Sequence, residues 1–370
     1  MSRSSQHPVL PETTIFLQTE HISVKYGETL ALQDVSLQIP SNRVTVLIGP
    51  SGCGKSSTLR CINSLVKISA GKIDYCDASV HALSETDLRR SMGYAIQSVG
   101  LMPHLTVEDN VDLVPRLLGW DRSTRDERVI RLLNLVRLEP QTYRKKYPHE
   151  LSGGEAQRVG VARALGADPP VLLMDEPFGA VDPLTREQLQ DEFIRIQRHL
   201  KKTVIFVTHD IDEAVRLADY LVIMRDGRIV QADTPEQILS NPVDDFVERF
   251  LGPDRSLKRL SLYTADHCCV GEVVSGTSRP SKDQLPIGTH DCYWQIDEQG
   301  KPISGFTRLH GSVVERKICS ASHKVQTYSS LKECMSTILS LGLPAAAVVD
   351  EEGKLLGEVR FDTIQKISIS

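Results

Sequence analysis

Gly49, Gly52, Gly54, Lys55 and Ser56 are spaced as a loop that can wrap around an anion. In Gly49-Pro50-Ser51-Gly52-Cys53-Gly54-Lys55-Ser56 the glycines let successive N–H groups point inward at a phosphate, and Lys55 adds a point charge there. Ser56 offers a hydroxyl to Mg²⁺, and the segment from Ser57 to Ile62 predicts a helix whose positive end faces the same phosphates. The β-branched run Val44-Thr45-Val46-Leu47-Ile48 just before the loop predicts a buried strand, so strand, loop and helix stand in the order that phosphate binding needs. Cys53 reads as a small residue that fits inside the loop.

Further candidates follow in fixed order. Gln97 ends Tyr94-Ala95-Ile96-Gln97, where its side-chain oxygen can reach Mg²⁺ or an attacking water. Leu151-Ser152-Gly153-Gly154-Glu155-Ala156-Gln157-Arg158 pairs a good N-cap with two glycines that leave N–H groups uncovered, a second anion site at a helix start. Two successive glycines weaken a helix, which makes sense where something must approach the backbone. Asp175 and Glu176 end an apolar strand at 171–174; adjacent buried carboxylates call for a cation and a water. Asp175 then holds Mg²⁺ through its water shell, and Glu176 orients and deprotonates the hydrolytic water. Asp182 follows in Gly179-Ala180-Val181-Asp182, and His209 ends the strand Val204 to Thr208, at the carboxyl edge of a parallel sheet where a γ-phosphate sits. Tyr26, before the turn glycine Gly27, either stacks on an adenine ring or is a half-buried strand-end residue.

The elements that must position these residues are legible as alternating patterns. Ile15–Val24 and Ala31–Ile39 predict two strands leading into the phosphate-loop strand, after a polar tail at 1–14. From 107 to 167 the period turns helical, with Glu108–Leu118, Arg122–Leu138 and Glu155–Leu165 as helices of a distinct lobe at about 98–167. A helix at Leu184–Leu200, strands at Thr203–Val207 and Leu221–Met224 and a short helix around Ile211–Ala218 predict a mostly parallel sheet covered on both faces. Asn241–Leu260 reads as a polar, helix-prone connector, with 251–262 as a linker. Beyond it, Ile296-Asp297-Glu298-Gln299-Gly300-Lys301 recurs 53 residues later as Val349-Asp350-Glu351-Glu352-Gly353-Lys354, and each copy predicts a hairpin. An amphipathic helix at Leu331–Leu341 precedes the second copy (about 319–370); nothing comparable precedes the first (about 263–318).

The 370 residues predict at least two domains. A net charge of −5 and a pI near 6.1 carry no nucleic-acid footprint, and no apolar run approaches a membrane span. Eight cysteines without a C-x-x-C pair read as reduced thiols in a cytoplasm.

The set Gly49–Ser56, Gln97, Ser152–Gln157, Asp175-Glu176, Asp182 and His209 resembles the ATP-binding cassette (ABC) ATPases over residues 15–250. The resemblance implies an α/β P-loop NTPase domain, a mixed sheet with a helical lobe. It also implies a head-to-tail homodimer in which Ser152, Gly153, Gly154, Gln157 and Asp182 of one subunit complete the ATP site of the other. Leu101-Met102-Pro103, Phe246–Gly252 and Leu257–Leu260 narrow the likeness to the ATPase subunit of importers for glycine betaine, choline or related quaternary amines. The repeat at 263–370 resembles a small α+β pair of cystathionine-β-synthase (CBS) domains. Such importers imply integral-membrane permease subunits, an extracytoplasmic substrate-binding protein and a peripheral position on the cytoplasmic face of the inner membrane. The rival within the cassette, a DNA-repair or ribosome-associated ATPase, would carry coiled-coil insertions, a zinc hook or a second cassette, and none is visible.

Overall fold

A computed structural model describes residues 15–75, 78–80, 84–96, 100–179, 181–271, 273–281, 285, 292–309, 312–318, 320 and 323–369. Two compact units meet in sequence between Phe250 and Leu251.

In the first unit, the apolar runs become strands buried along their whole length. In chain order it holds β1 (Ile15–Tyr26), β2 (Thr29–Pro40), β3 (Val44–Ile48), α1 (Lys55–Ile62), β4 (Ala70–Tyr75), β5 (Ala78–Ser79), α2 (Glu85–Ser91) and β6 (Met92–Ala95). There follow α3 (Val107–Leu117), α4 (Arg122–Leu135), α5 (Pro140–Tyr143) and α6 (Gly153–Ala164). The unit closes with β7 (Val171–Asp175), α7 (Pro183–Leu200), β8 (Thr203–Val207), α8 (Ile211–Leu217), β9 (Tyr220–Arg225), β10 (Arg228–Asp233), α9 (Pro235–Ser240) and α10 (Asp245–Leu251).

A six-stranded sheet runs β10-β9-β3-β8-β7-β6, parallel throughout except for the β10 edge. β3, β7 and β8 show no exposed residue, as expected of strands covered on both faces. Their carboxyl ends deliver the phosphate loop, Asp175-Glu176 and Thr208-His209 to one edge. A four-stranded antiparallel sheet, β2-β1-β4-β5, packs its apolar face into the same core. The expected helical lobe consists of α3–α6, opened by side-chain caps at Thr106, Asp121 and Ser152. α4 stops at Leu135, short of the expected Leu138, because Arg137 turns into the left-handed region at φ 55°.

The second unit contains α11 (Arg255–Leu260), β11 (Val274–Gly276), β12 (Tyr293–Ile296), β13 (Pro302–Leu309), β14 (Ser312–Lys317), β15 (Val325–Gln326), α12 (Leu331–Leu341), β16 (Ala345–Val349), β17 (Leu355–Arg360) and α13 (Phe361–Ile369). The segment read as a linker folds into this unit: Leu260 on α11 is fully buried with Val325, Leu331 and Ile338. Polar composition hid it, since Lys258 and Arg259 are buried too and Lys258 pairs with Asp254. Both repeat copies form the expected hairpins, β12-β13 and β16-β17, each preceded by a short parallel strand, β11 or β15. The turns are built alike: Asp297 N donates to Lys301 O and Asp350 N to Lys354 O, and the two turns join through Leu355 N to Gly300 O at 3.0 Å. Buried Trp294 of the first copy donates from Nε1 to Glu358 of the second at 2.8 Å.

Candidate nucleotide site

The loop at 49–54 is tight because the chain closes around it. A Cβ at Gly49 would stand 2.1 Å from Met224 O, and one at Gly54 would meet Leu32 Cδ2 at 2.5 Å. Gly54 has φ 105°, which only glycine adopts freely, and leaves the start of α1 without a side-chain cap. The N–H groups of that first turn therefore point to whatever the loop holds. Gly227 N donates to Cys53 O at 3.1 Å, so the β9-β10 turn clamps the loop from behind. Cys53 is buried, and burial pushes its thiol up against the lowering charge of Lys55. Pro50, Ser51 and Gly52 form the exposed lip, while Ser56 and Ser57 are half-buried.

Lys55 is buried and its Nζ lies within the loop, 2.7 Å from Gly49 O and 3.0 Å from Pro50 O. Ser56 Oγ donates to Asp175 Oδ1 at 2.9 Å, a contact between residues 119 apart in sequence. Asp175 is 3% exposed. Burial pushes its carboxyl above the usual range, with Ser56 and Arg60 pulling it down and Glu176 adding a smaller upward push. A hydroxyl and a carboxylate converging where negative charge is costly is a donor set suited to a hard cation such as Mg²⁺.

Glu176 sits in the left-handed region at φ 47°. A non-glycine residue there costs on the order of 1–3 kcal/mol and persists only when its surroundings over-determine it. Glu176 N donates to Val207 O at 2.9 Å and Gly179 N to Glu176 O at 3.1 Å, which fixes that geometry. The carboxylate then lies 3.3 Å from His209 Nδ1, with the imidazole largely exposed. Lys55, Ser56, Asp175, Glu176 and His209 are thus brought to one sheet edge. Tyr26 is 47% exposed at the end of β1, and the hairpin it belongs to packs over Gly54 through Ala31 and Leu32. Gln97 lies outside the described residues.

Ser152, Gly153, Gly154 and Asp182 form a second cluster. Ser152 Oγ accepts from Glu155 N at 3.3 Å while Glu155 Oε2 accepts from Ser152 N at 2.7 Å, a capping box that starts α6. A Cβ at Gly153 would meet nothing within 4 Å, and one at Gly154 would meet Thr185 Cγ2 at 3.2 Å. Asp182 is exposed and caps α7, accepting from Thr185 N at 3.0 Å. Gln157 does not share that exposure. It is 5% exposed and lines a small apolar cavity with Phe178, Leu189 and Phe193, because the helix turns position 157 toward α7. The expectation groups it with the exposed glycines as a contact across subunits, and within one subunit its side chain faces the core instead.

Sequence reasoning overlooked two supports. Asn110, fully buried, accepts from Met102 N and donates to Met102 O, Leu105 O and Thr106 O, shaping the loop that holds Leu101 and Met102. Glu213, buried on α8, lies beneath the His209 turn. A polar residue at an inward position of a periodic helix was the available signal for each.

Sheet order, enclosed glycine loop and paired carboxylates define a phosphate-loop nucleoside triphosphatase. Comparison narrows the class. Residues 32–179 match the family described as ABC transporter. The osmoprotectant import ATP-binding protein OsmV of Salmonella typhimurium is 41% identical over 94% of this chain and 93% of its own length. The carnitine transport ATP-binding protein OpuCA of Listeria monocytogenes is 51% identical over 93% of this chain and 89% of its own length. Among solved structures, the dimeric bacterial ABC transporter cassette MJ0796 matches with a TM-score of 0.54 and 32% identity, over 59% of this chain and 98% of that one. The chain belongs to the ABC transporter family, as an ATPase coupled to transport. Among the described residues no helix is long and apolar enough to cross a membrane.

Proposed function

We propose that this chain is the ATP-hydrolysing subunit that energises membrane import of a quaternary-amine osmoprotectant. The convergence of Ser56 with Asp175, and of Glu176 with His209, carries the chemical part of the reading. The phosphate loop and Lys55 hold the β- and γ-phosphates, and the start of α1 adds its positive end. Ser56, Asp175 and Gln97 would hold Mg²⁺, which when bound would neutralise charge developing on the phosphates. Glu176 takes a proton from the attacking water as the bond from γ-phosphorus to ADP breaks, and His209 holds the γ-phosphate side. Tyr26 stacks on adenine.

In this reading two copies bind head to tail, and Ser152, Gly153, Gly154 and Asp182 of one cover the triphosphate of the other. The open, neighbourless Gly153 supports this. The loop at Leu101 and Met102, with Met102 40% exposed, docks permease subunits at the cytoplasmic face of the inner membrane, and an extracytoplasmic binding protein delivers the solute. Relatives named for osmoprotectant, choline and carnitine transport support the solute class. The second unit, with its duplicated hairpins, is read as a CBS-like regulatory pair.

The test is uptake of labelled carnitine, choline and glycine betaine by vesicles holding the chain and its permease. Glu176→Gln is expected to slow hydrolysis about 10²- to 10⁴-fold, as for a lost general base, and to stop uptake. Hydrolysis within a few-fold of the parent would overturn the role of Glu176. Uptake of none of the three amines would overturn the solute class.

A further inference from the structure

A carboxylate that touches neither cluster lies directly behind His209. Glu213 is 6% exposed, and an apolar side chain there would avoid the cost of burying a carboxylate. It is instead held from two directions. Gln190 of α7, itself 5% exposed, donates from Nε2 to Glu213 Oε1 at 3.0 Å. The Thr208 hydroxyl lies on the other side and favours the charged carboxylate. That hydroxyl accepts from Asp210 N at 3.0 Å, which leaves its one proton free to be donated toward Glu213. Asp210 Oδ1 in turn accepts from Glu213 N at 3.1 Å, which closes the turn on both sides of His209. α7 is tied to the same turn again one helical turn earlier. Arg186 donates to Val181 O at 3.0 Å and lies 3.6 Å from Asp210 Oδ2. Gln190 is oriented as well, its Oε1 accepting from Arg216 Nη1 at 3.3 Å.

We propose that Glu213 is a positioning residue for His209: through Thr208 and Gln190 it locks the 208–210 turn against α7, the helix that Asp182 caps. The inference rests on the reading of His209 as a residue of the γ-phosphate side. A carboxylate suits the task because it accepts from both donors at once. An amide in its place keeps one accepting oxygen and turns the other position into a donor, which cannot receive a hydrogen bond.

The experiment is a double-mutant cycle on the full chain, Glu213→Gln with His209→Ala, followed by single-turnover ATP hydrolysis so that slow rates are resolved. Alone, E213Q is expected to lower the hydrolysis rate about tenfold, in the range that misplacement of a reacting group produces, with ATP affinity within about twofold. In the H209A background the same change is expected to move the rate less than about twofold, because the group it positions is gone. A tenfold loss in both backgrounds, an unchanged rate for E213Q alone, or an unchanged rate for H209A would overturn it. Thr208→Ala removes the hydroxyl from the other end and runs the same cycle if E213Q does not yield folded protein. The control is E176Q. Full activity in that variant sinks the site reading itself, whereas an inactive E176Q beside an additive cycle sinks only the role given to Glu213.

Discussion

A side chain added at Gly49 would stand 2.1 Å from Met224 O, whereas one added at Gly153 would meet nothing within 4 Å. Both glycines lie at or before a helix start, yet only the first is required by its own chain. The phosphate loop is enclosed by β2, by the β9-β10 turn and by its own Lys55. The start of α6 is capped, exposed and open. A glycine that the fold needs says little about ligands beyond what the loop already says. A glycine that the fold does not need points to something outside the protomer.

The contrast breaks most sharply at Gly49. Gly49→Ala is expected to lose nucleotide binding and about 1–3 kcal/mol of stability by overpacking against backbone, measured by urea unfolding and ATP titration. Gly153→Ala is expected to stay within about 0.5 kcal/mol of the parent in the same unfolding assay. Equal losses at the two positions would erase the distinction.

In the second unit the joint between repeat copies is buried rather than open. Trp294→Phe removes the indole donor from Glu358, which is 1% exposed and also accepts from Arg360 Nε at 2.7 Å, and is expected to cost about 1–3 kcal/mol. Thermal unfolding of the variant checks it; an unchanged transition would show that the Trp294 bond contributes nothing.

The smallest effect concerns the α6 cap. The Tyr143 hydroxyl, donating at 2.6 Å, and the Ser152 amide hold the Glu155 carboxyl below its ordinary value of 4.5. A depressed carboxyl stabilises the fold above its unfolded pKa, and that contribution is lost as pH falls through the folded value. Tyr143→Phe should therefore be less stable than the parent at neutral pH, with the gap closing as pH drops below about 4.5. A gap independent of pH would remove the hydrogen bond from the account.

Much of this was legible because burial and period coincide. The strands at 44–48, 171–175 and 203–207 are continuous apolar runs and appear where expected, as does the helix at Leu331–Leu341. The phosphate loop and the Asp175-Glu176 pair were readable because glycine spacing and adjacent carboxylates are costly without a ligand. What escaped was polar burial. Lys258 and Arg259 disguised α11 as a linker, Gln157 was grouped with the exposed glycines, and Glu213 was not singled out at all. In each case tertiary partners, absent from local pattern, decide the outcome.

The central claim is that the start of α6 closes over triphosphate held by a second copy. It is tested most directly by the mass in solution of Glu176→Gln protein saturated with ATP and Mg²⁺, with and without Gly153→Asp. The account predicts a doubled mass for the single variant and a monomer once the aspartate is added, with unfolding unchanged. A monomer in both, or a dimer in both, would contradict it.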